Sequence, residues 1–247
     1  VSGSDQQSSN YTDYLSKHGI SDIHIGQTVE QIHQVHEKHP IDWIVHSSAV
    51  KSDHPELNFA KTNHIKISKR DELLNKIIED KNLKLIAIAG THGKTTTTAM
   101  VVWLFKQLGE PISYSVGAKI SFGEMGEFDE KSKYFVYEAD EYDRNFLTFK
   151  PHLSLITGID WDHPDIYPTK DEYNSAFRQF LDQSNCAYIW DDDATKLGID
   201  ESNAKLGIIH KADYPQFSLP GKVNREDAAL AAKGVLIVLD KTDISIL

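Results

Sequence analysis

The sequence is poor in the features that mark secreted, membrane-embedded or nucleic-acid-binding proteins. Its single cysteine, Cys186, excludes an internal disulfide framework and fits a reducing cytoplasm. The longest apolar runs, at residues 85–89 and 235–239, are far too short to span a bilayer, and the amino-terminal stretch VSGSDQQSSN has no signal-peptide pattern. Basic residues are outnumbered, because 26 Lys and Arg against 37 Asp and Glu give a net charge of −11. We therefore expect a cytoplasmic protein that binds neither nucleic acid nor a membrane surface.

The length and the order of elements predict two α/β domains. A chain of 247 residues with 40% hydrophobic residues suits one large domain or two ordinary ones. In the first third, apolar and amphipathic segments predict strands at 22–25, 41–46 and 64–68, and helices at 29–38, 55–61 and 70–81. That alternation is typical of a parallel sheet that binds nucleotides or sugars at its strand ends. The polar segment 79–84 is the predicted linker, so we place one domain at 1–82 and a second at 83–247.

The second domain is predicted to be a mostly parallel central sheet of the P-loop type with flanking helices. A strand at 84–89 leads through Gly90 into a helix at 94–108, with Gly109 at the expected C-cap. Its further elements are predicted as strands at 133–138, 152–157 and 186–190 and helices at 171–181 and 225–239. The strands are nearly continuous apolar runs, which is typical of strands buried on both faces.

The stretch IAIAGTHGKTTTTAM, at 86–100, resembles a phosphate loop with a displaced glycine. The general P-loop pattern places a glycine five residues before Gly93, where this chain has Ile88; the loop glycine is Gly90 instead. A strand that runs through a glycine-rich turn into a helix directs unpaired amides at one spot, which favours a phosphate. Lys94 adds a positive charge, and the Thr95 hydroxyl is placed to bind Mg²⁺. The alternative is an ordinary helix start capped by a threonine.

Acidic residues follow the predicted strand at 133–138. Glu138 lies at the carboxyl end of that strand, where open α/β sheets assemble their ligand sites, and it can complete the magnesium site begun by Thr95. The loop that continues from it contains Asp140, Glu141 and Asp143. For these three the competing interpretation is a solvated turn.

His163 lies just beyond a third predicted strand, in the run TGIDWDHPD, between Asp162 and Asp165. A neutral imidazole at a strand end can complete a metal site, although a lone histidine is often structural. Two other candidates are interpreted as structural. Residues 191–193, all aspartates, are predicted to form a solvated turn, and Cys186 is predicted to be a small apolar residue inside a strand.

With these motifs in view, the sequence resembles the Mur ligase family. The resemblance rests on AGTHGKTTTT, EADEYDRNFL and IDWDHPDIY, with VSGSD and SSAVKSDHPE in the first domain and LPGKVNREDAALAA near the end. It covers most of residues 1–182 and is weak between 183 and 219. The shortened glycine loop is similar to that family's own phosphate cradle.

The resemblance implies a ligase of three domains, which bind a UDP-sugar, ATP, and the incoming amino acid. The members with the most similar motifs add L-alanine to UDP-N-acetylmuramate in peptidoglycan precursor synthesis, through an acyl phosphate and with ATP and Mg²⁺. No obligate protein partner is implied. The alternatives are the related ligase that recycles a cell-wall tripeptide and a nucleotide-binding module without ligase chemistry. Such a module would act as a switch or be a decayed pseudoenzyme, and the retained Lys94, Thr95, Glu138 and His163 argue against decay.

The resemblance also implies the site residues. Lys94, Glu138 and His163 are the implied catalytic residues: Lys94 holds the transferring phosphate, Thr95 and Glu138 bind one Mg²⁺, and His163 binds the second. Asn224 matches the asparagine that contacts adenine. The ATP cradle comprises Gly90, Thr91, His92, Gly93, Lys94, Thr95 and Thr96, and the residues implied to lie near the UDP-sugar are Ser4, Asp5, Ser47 and Ser48.

Several departures from the family pattern accompany the resemblance. Gly158, Pro164 and Val223 stand where the family has asparagine, methionine and histidine. The glycine-rich loop expected before VSGSD is absent, which implies an incomplete Rossmann-like N-terminal sheet, and the third domain is absent as well. Because the chain also begins with Val1 and ends in ISIL, we expect it to be a piece of a longer enzyme that is inactive by itself.

Overall fold

The computed structural model describes residues 1–200, 202–211 and 217–241. The chain divides into two compact units, Val1–Leu73 and Leu74–Leu247. Helix α4 (Arg70–Asp80) runs across this division, so the chain passes from one unit to the other within a helix. Among the described residues, no helix combines the length and the apolar character that crossing a bilayer requires.

The amino-terminal unit contains two pairs of parallel strands and three helices. Strand β1 (Gly3–Asp5) pairs with β2 (Ile23–Ile25), and β3 (Trp43–His46) pairs with β4 (Lys66–Lys69). The helices are α1 (Asn10–Lys17), α2 (Val29–Lys38) and α3 (Pro55–Thr62). Local sequence explains where the helices begin, because α1 and α2 start at capping boxes and α3 has proline in its first turn. The three predicted strands are present, but they belong to two separate two-stranded sheets and not to one parallel sheet, and β1 and α1 were not predicted.

The second unit is built on a seven-stranded sheet in the order β11-β10-β9-β5-β8-β6-β7. Every strand pair is parallel except β6 with β7, which confirms the predicted mostly parallel α/β fold. The elements in chain order are β5 (Lys84–Ala89), α5 (Lys94–Gln107), β6 (Ser113–Ser115), β7 (Gly126–Glu127), β8 (Tyr134–Glu138), β9 (Leu153–Ile156), α6 (Lys170–Gln183), β10 (Ala187–Trp190), α7 (Asp191–Leu197), β11 (Leu206–Ile209) and α8 (Lys222–Val238).

The central strand β5 is buried on both faces, which explains its continuous apolar sequence. Ile86 and Ile88 pack in a core layer with side chains of α5 and α8, such as Phe105 and Leu230. The alternate residues of β5 pack in the opposite layer, which includes Phe177 of α6. Successive side chains of a strand point to opposite faces, so a strand with helices on both sides needs apolar residues at every position.

The sequence interpretation of residues 191–193 is wrong. The aspartates at 191–193 do not form a solvated turn, because they make up the first turn of α7, where carboxylates favour the positive end of the helix dipole. Asp193 is only 3% exposed. Cys186 lies immediately before β10, and its half-buried side chain packs against the core.

Candidate functional site

The phosphate loop joins the carboxyl end of β5 to the amino end of α5. Gly90 has φ of 141°, and an added Cβ there would lie 2.8 Å from the Gly158 carbonyl oxygen, so only glycine fits. Gly93 has φ of 82° and is the N-cap of α5, with no side-chain cap. The amides in the first turn of α5 have no intrahelical partner, and they lie at the positive end of the helix dipole. The loop is therefore suited to an anionic phosphate group.

Lys94 lies at the start of α5 with its ammonium group turned back over the loop. Its Nζ donates hydrogen bonds to the Gly90 carbonyl at 2.6 Å and to Glu141 Oε2 at 2.8 Å. The Lys94 side chain is 15% exposed and that of Glu141 is 1% exposed. A charged donor is thus held beside the phosphate loop by a buried acidic partner.

Glu141 is a site residue for which the sequence left two interpretations open. The solvated-turn interpretation is wrong for this residue, because the chain after β8 folds inward and the Tyr167 hydroxyl donates to the Glu141 carbonyl at 2.6 Å. Burial raises the pKa of the Glu141 carboxyl, and the nearby Lys94 ammonium opposes that rise. Its place three residues after a buried strand was the only local signal, and that signal does not distinguish it from Asp140 or Asp143.

Thr95 and Glu138 form the oxygen pair that could hold a magnesium ion. The Thr95 hydroxyl donates to Glu138 Oε1 at 2.9 Å, and the Gly117 amide donates to Glu138 Oε2 at 2.8 Å. Mg²⁺ prefers oxygen ligands and is usually held by one or two carboxylates together with substrate phosphates. A hydroxyl and an oriented carboxylate beside a phosphate loop fit that requirement.

His163 lies at the same edge of the sheet, linked to the phosphate loop through Glu141. Its Nε2 is 3.7 Å from Glu141 Oε1 and 3.9 Å from Asp162 Oδ2, and its ring meets Tyr142 edge-on. Within the described ranges, no three His, Cys, Asp or Glu side chains are close enough together to hold a metal ion by themselves. The structure thus brings His163 to the site, and its role as a ligand of a second Mg²⁺ stays a prediction.

Helix α8 presents a buried acid to the phosphate loop. Asp227 is 4% exposed, and its Oδ1 lies 2.7 Å from the position that a Cβ on Gly93 would occupy. Burial raises the pKa of Asp227 from 3.8 to about 6, and the nearby Glu226 carboxylate adds to the rise. Nothing in the sequence distinguishes Asp227 from the other acidic residues, and the family resemblance implied Asn224, one turn earlier, instead. The Asn224 side chain here donates to the Pro220 carbonyl at 2.9 Å.

The rest of the predicted cradle surrounds the same loop. The Thr91 amide donates a hydrogen bond to the Gly158 carbonyl at 2.8 Å. The Thr91 hydroxyl lies 2.8 Å from the Tyr173 hydroxyl. The carbonyl of His92 accepts a hydrogen bond from the Thr157 side chain. Thr96 lies exposed in the first turn of α5. The predicted ATP-binding residues from 90 to 96 therefore run without a break from the glycine loop into the first turn of α5.

A separate cavity of about 1020 Å³ lies within the amino-terminal unit. Ser4, Asp5 and Ser47 line it, together with His24, Trp43, His46 and Glu56. The Ser4 hydroxyl donates to Glu56 Oε2 at 2.8 Å. Ser48 is not among the described residues that line this cavity. Three of the four residues predicted near the UDP-sugar thus share one polar cavity.

Comparison with known proteins identifies both parts of the chain. The profile of the Mur ligase middle domain matches residues 88–227, and that of the Mur ligase family catalytic domain matches residues 1–82. A UDP-N-acetylmuramate–L-alanine ligase of Syntrophomonas wolfei is 38% identical over 183 residues, which are 74% of this chain and 38% of that protein. The corresponding ligase of a Wolbachia species is 36% identical over 204 residues, which are 83% of this chain and 36% of that protein. The chain therefore spans well under half the length of these relatives.

Solved structures share the fold. The UDP-N-acetylmuramate-alanine ligase of Thermotoga maritima superposes with a TM-score of 0.79 at 22% identity, covering 100% of this chain and 60% of that one. A UDP-N-acetylmuramate:L-alanyl-gamma-D-glutamyl-meso-diaminopimelate ligase from Neisseria meningitides superposes with a TM-score of 0.81 at 19% identity, covering 96% and 86%. Because the middle-domain profile alone covers more than half of its residues, this chain belongs to the Mur ligase family.

Proposed function

We propose that this chain supplies the ATP-binding and sugar-binding parts of a ligase that joins L-alanine to UDP-N-acetylmuramate. The named relatives at 34–38% identity all carry that activity in their names, which supports the choice of L-alanine over a tripeptide. The observation that carries the proposal is the convergence of Lys94, Thr95 and Glu138 on a glycine turn at the carboxyl edge of the sheet.

The residues of this site have distinct tasks in the proposed reaction. Lys94 would bind the transferring phosphoryl group, and Thr95 with Glu138 would hold a magnesium ion against the phosphates of ATP. His163 would bind a second magnesium ion, and Asn224 would contact the adenine. Magnesium neutralises charge on the phosphates when it is bound.

The chemistry proceeds by two transfers. The sugar carboxylate attacks the terminal phosphorus of ATP, so that an acyl phosphate forms and ADP leaves. The alanine amine then attacks the acyl carbon, the bond from that carbon to the phosphate oxygen breaks, and phosphate leaves as the amine loses a proton. The loop amides and Lys94 stabilise negative charge on the phosphoryl group during the first transfer.

The sugar would be bound in the cavity of the amino-terminal unit. Ser4, Asp5 and Ser47 line that cavity, and their hydroxyl and carboxylate groups can hydrogen-bond to ribose or sugar hydroxyls. Ser48 is the next residue in the sequence after Ser47, which lines the cavity. A volume of about 1020 Å³ lies at the upper end of the range for small-molecule pockets, which suits a ligand as large as a UDP-sugar.

Calorimetry with Mg²⁺ and ATP tests the nucleotide site. Replacing Lys94 by alanine removes a charged donor to phosphate, and we expect the affinity to fall by about 100-fold. Lys106→Ala is the matched control, because Lys106 lies on the same helix and pairs with Glu127 at 2.7 Å. Equal affinities for wild type and Lys94→Ala would refute the nucleotide site.

Titration with UDP-N-acetylmuramate tests the sugar site. Ser47→Trp places an indole at the cavity, so it should prevent binding of the UDP-sugar while Mg²⁺-ATP binding stays unchanged. Unimpaired UDP-sugar binding by Ser47→Trp would refute this assignment.

A further inference from the structure

The segment that follows β9 and carries His163 is held by hydrogen bonds to an ion pair of helix α7. Lys196 Nζ donates to the Ile159 carbonyl at 2.7 Å and to Asp193 Oδ1 at 2.8 Å. The same carboxylate oxygen accepts a hydrogen bond from the Ile159 amide at 3.1 Å. Both backbone groups of Ile159 are therefore held by two side chains that are 34 and 37 positions further along the chain.

Stabilisation of the fold alone is a weak explanation for the presence of this ion pair, because one of its two side chains is buried. The Asp193 side chain is 4% exposed and that of Lys196 is 34% exposed. The free energy that it costs to desolvate a buried charge offsets much of the favourable energy of the ion pair, and apolar residues of similar volume often stabilise a protein equally well. What this pair does beyond stability is to fix the orientation of one peptide segment.

On its other side the same segment is bound to the phosphate loop. The Thr91 hydroxyl donates to the Asp160 carbonyl at 2.7 Å and accepts from the Asp160 amide at 2.9 Å. The Thr91 amide donates to the Gly158 carbonyl at 2.8 Å. Lys196 also reaches Asp160 Oδ1 at 3.1 Å. Residues 158–160 are thus held between α7 and the phosphate loop.

We propose that Asp193 and Lys196 are positioning residues for the magnesium-nucleotide site. They hold residues 158–160 against Thr91, and this sets the place of His163 relative to the phosphate loop. Neither residue contacts the nucleotide in this role. The inference rests on the proposed function, because it gives the segment a task in binding Mg²⁺ and ATP.

Hydrogen exchange of the metal-free protein tests the first step. Lys196→Met removes the charged donor at a partly exposed position, and Asp193→Asn keeps the shape of the buried side chain. In both variants the amides of Ile159 and Asp160 should exchange about tenfold faster, because the segment loses the ion pair that holds it and its remaining hydrogen bonds open more often. The matched control is Asp192→Asn, since Asp192 lies in the same helical turn, is 65% exposed, and pairs instead with Lys211 at 3.0 Å.

Magnesium-dependent ATP binding tests the second step. The Mg²⁺ concentration for half-maximal ATP binding is measured where circular dichroism shows the same folded fraction in every variant. Lys196→Met and Asp193→Asn should raise this Mg²⁺ concentration by about tenfold or more. In other metal sites, the loss of groups that orient the metal ligands weakens metal binding by a similar factor. In a His163→Ala background the same substitutions should have little further effect, because they act through His163.

The outcomes separate the two claims. If wild type binds ATP with a clear Mg²⁺ dependence, and the variants keep both that dependence and wild-type exchange rates, the positioning role is wrong. Variants that melt earlier but keep the wild-type Mg²⁺ midpoint would show a purely structural pair, which also overturns it. A wild-type protein without Mg²⁺-dependent ATP binding would refute the proposed function, and the positioning role would fall with it.

Discussion

Replacing Asp227 by asparagine should stabilise the protein, and the gain should depend on pH. This carboxyl is buried beside Gly93, and desolvation raises its pKa from 3.8 to about 6. Folding therefore favours the protonated acid. The stability that the group contributes is complete below about pH 4 and is lost as the pH rises through about 6.

The size of the effect follows from the pKa. The difference is about 2 pKa units, and since one unit corresponds to about 1.4 kcal/mol, the ionised carboxylate costs the folded state about 3 kcal/mol. Asparagine avoids that charge but buries an amide that also needs hydrogen bonds. We expect a net gain of about 1–2 kcal/mol in the free energy of unfolding above about pH 7.

Urea unfolding of wild type and Asp227→Asn, followed by circular dichroism between about pH 4.5 and pH 8, measures this gain. The difference should shrink towards the acidic end, where wild-type Asp227 is protonated. Asp80→Asn is the control, because Asp80 is 62% exposed and pairs with Lys76 of its own helix, so its effect should stay within about 0.5 kcal/mol. A difference that does not change with pH, or a variant that is less stable throughout, would contradict the assignment.

Three further predictions concern the loop, its anchor and the core. Gly90→Ala should weaken Mg²⁺-ATP binding and lower the free energy of unfolding by about 1–3 kcal/mol, because φ of 141° and the nearby Gly158 carbonyl exclude a Cβ. Calorimetry measures the affinity and thermal unfolding measures the stability, and a variant with wild-type affinity would refute the prediction. Thr91→Val breaks the paired hydrogen bonds with Asp160 and should cost about 1–3 kcal/mol in urea unfolding, whereas no loss would show that these bonds contribute nothing net. Phe177→Ala opens the fully buried core beneath α6 and should cost about 3–5 kcal/mol, and a cost under about 1 kcal/mol would mean that the core collapses around the gap.

Several features could be predicted from the sequence because their causes are local. The apolar run at 84–89, the two glycines and the GKT that follows place a phosphate loop between a strand and a helix, and the structure has them in that order. Helix α2 matches its predicted bounds, 29–38, because Thr28 and Gln31 form a capping box at its start. The weaker elements, such as β1 and α7, have short or polar sequences with little periodicity, and they were not predicted.

The candidate site was predictable only in part. The order of the strands indicated that Lys94, Thr95, Glu138 and His163 belong at one sheet edge, because parallel strands end together there. The structure brings these four to that edge. The roles of His163 and Asn224 as ligands of metal and adenine remain predictions, since they concern groups that only binding can test.

The chain sequence by itself determined the phosphate loop, the strands buried on both faces and the family motifs, because each depends on residues close together along the chain. Only the tertiary structure showed which acids besides Glu138 are buried at the site or beside it. Glu141, Asp193 and Asp227 look like ordinary polar residues in the sequence, and their burial results from partners that are distant along the chain, such as Lys94 and Ile159. The physical reason is that the environment of a carboxylate is set by the elements packed around it, and local periodicity carries no record of them.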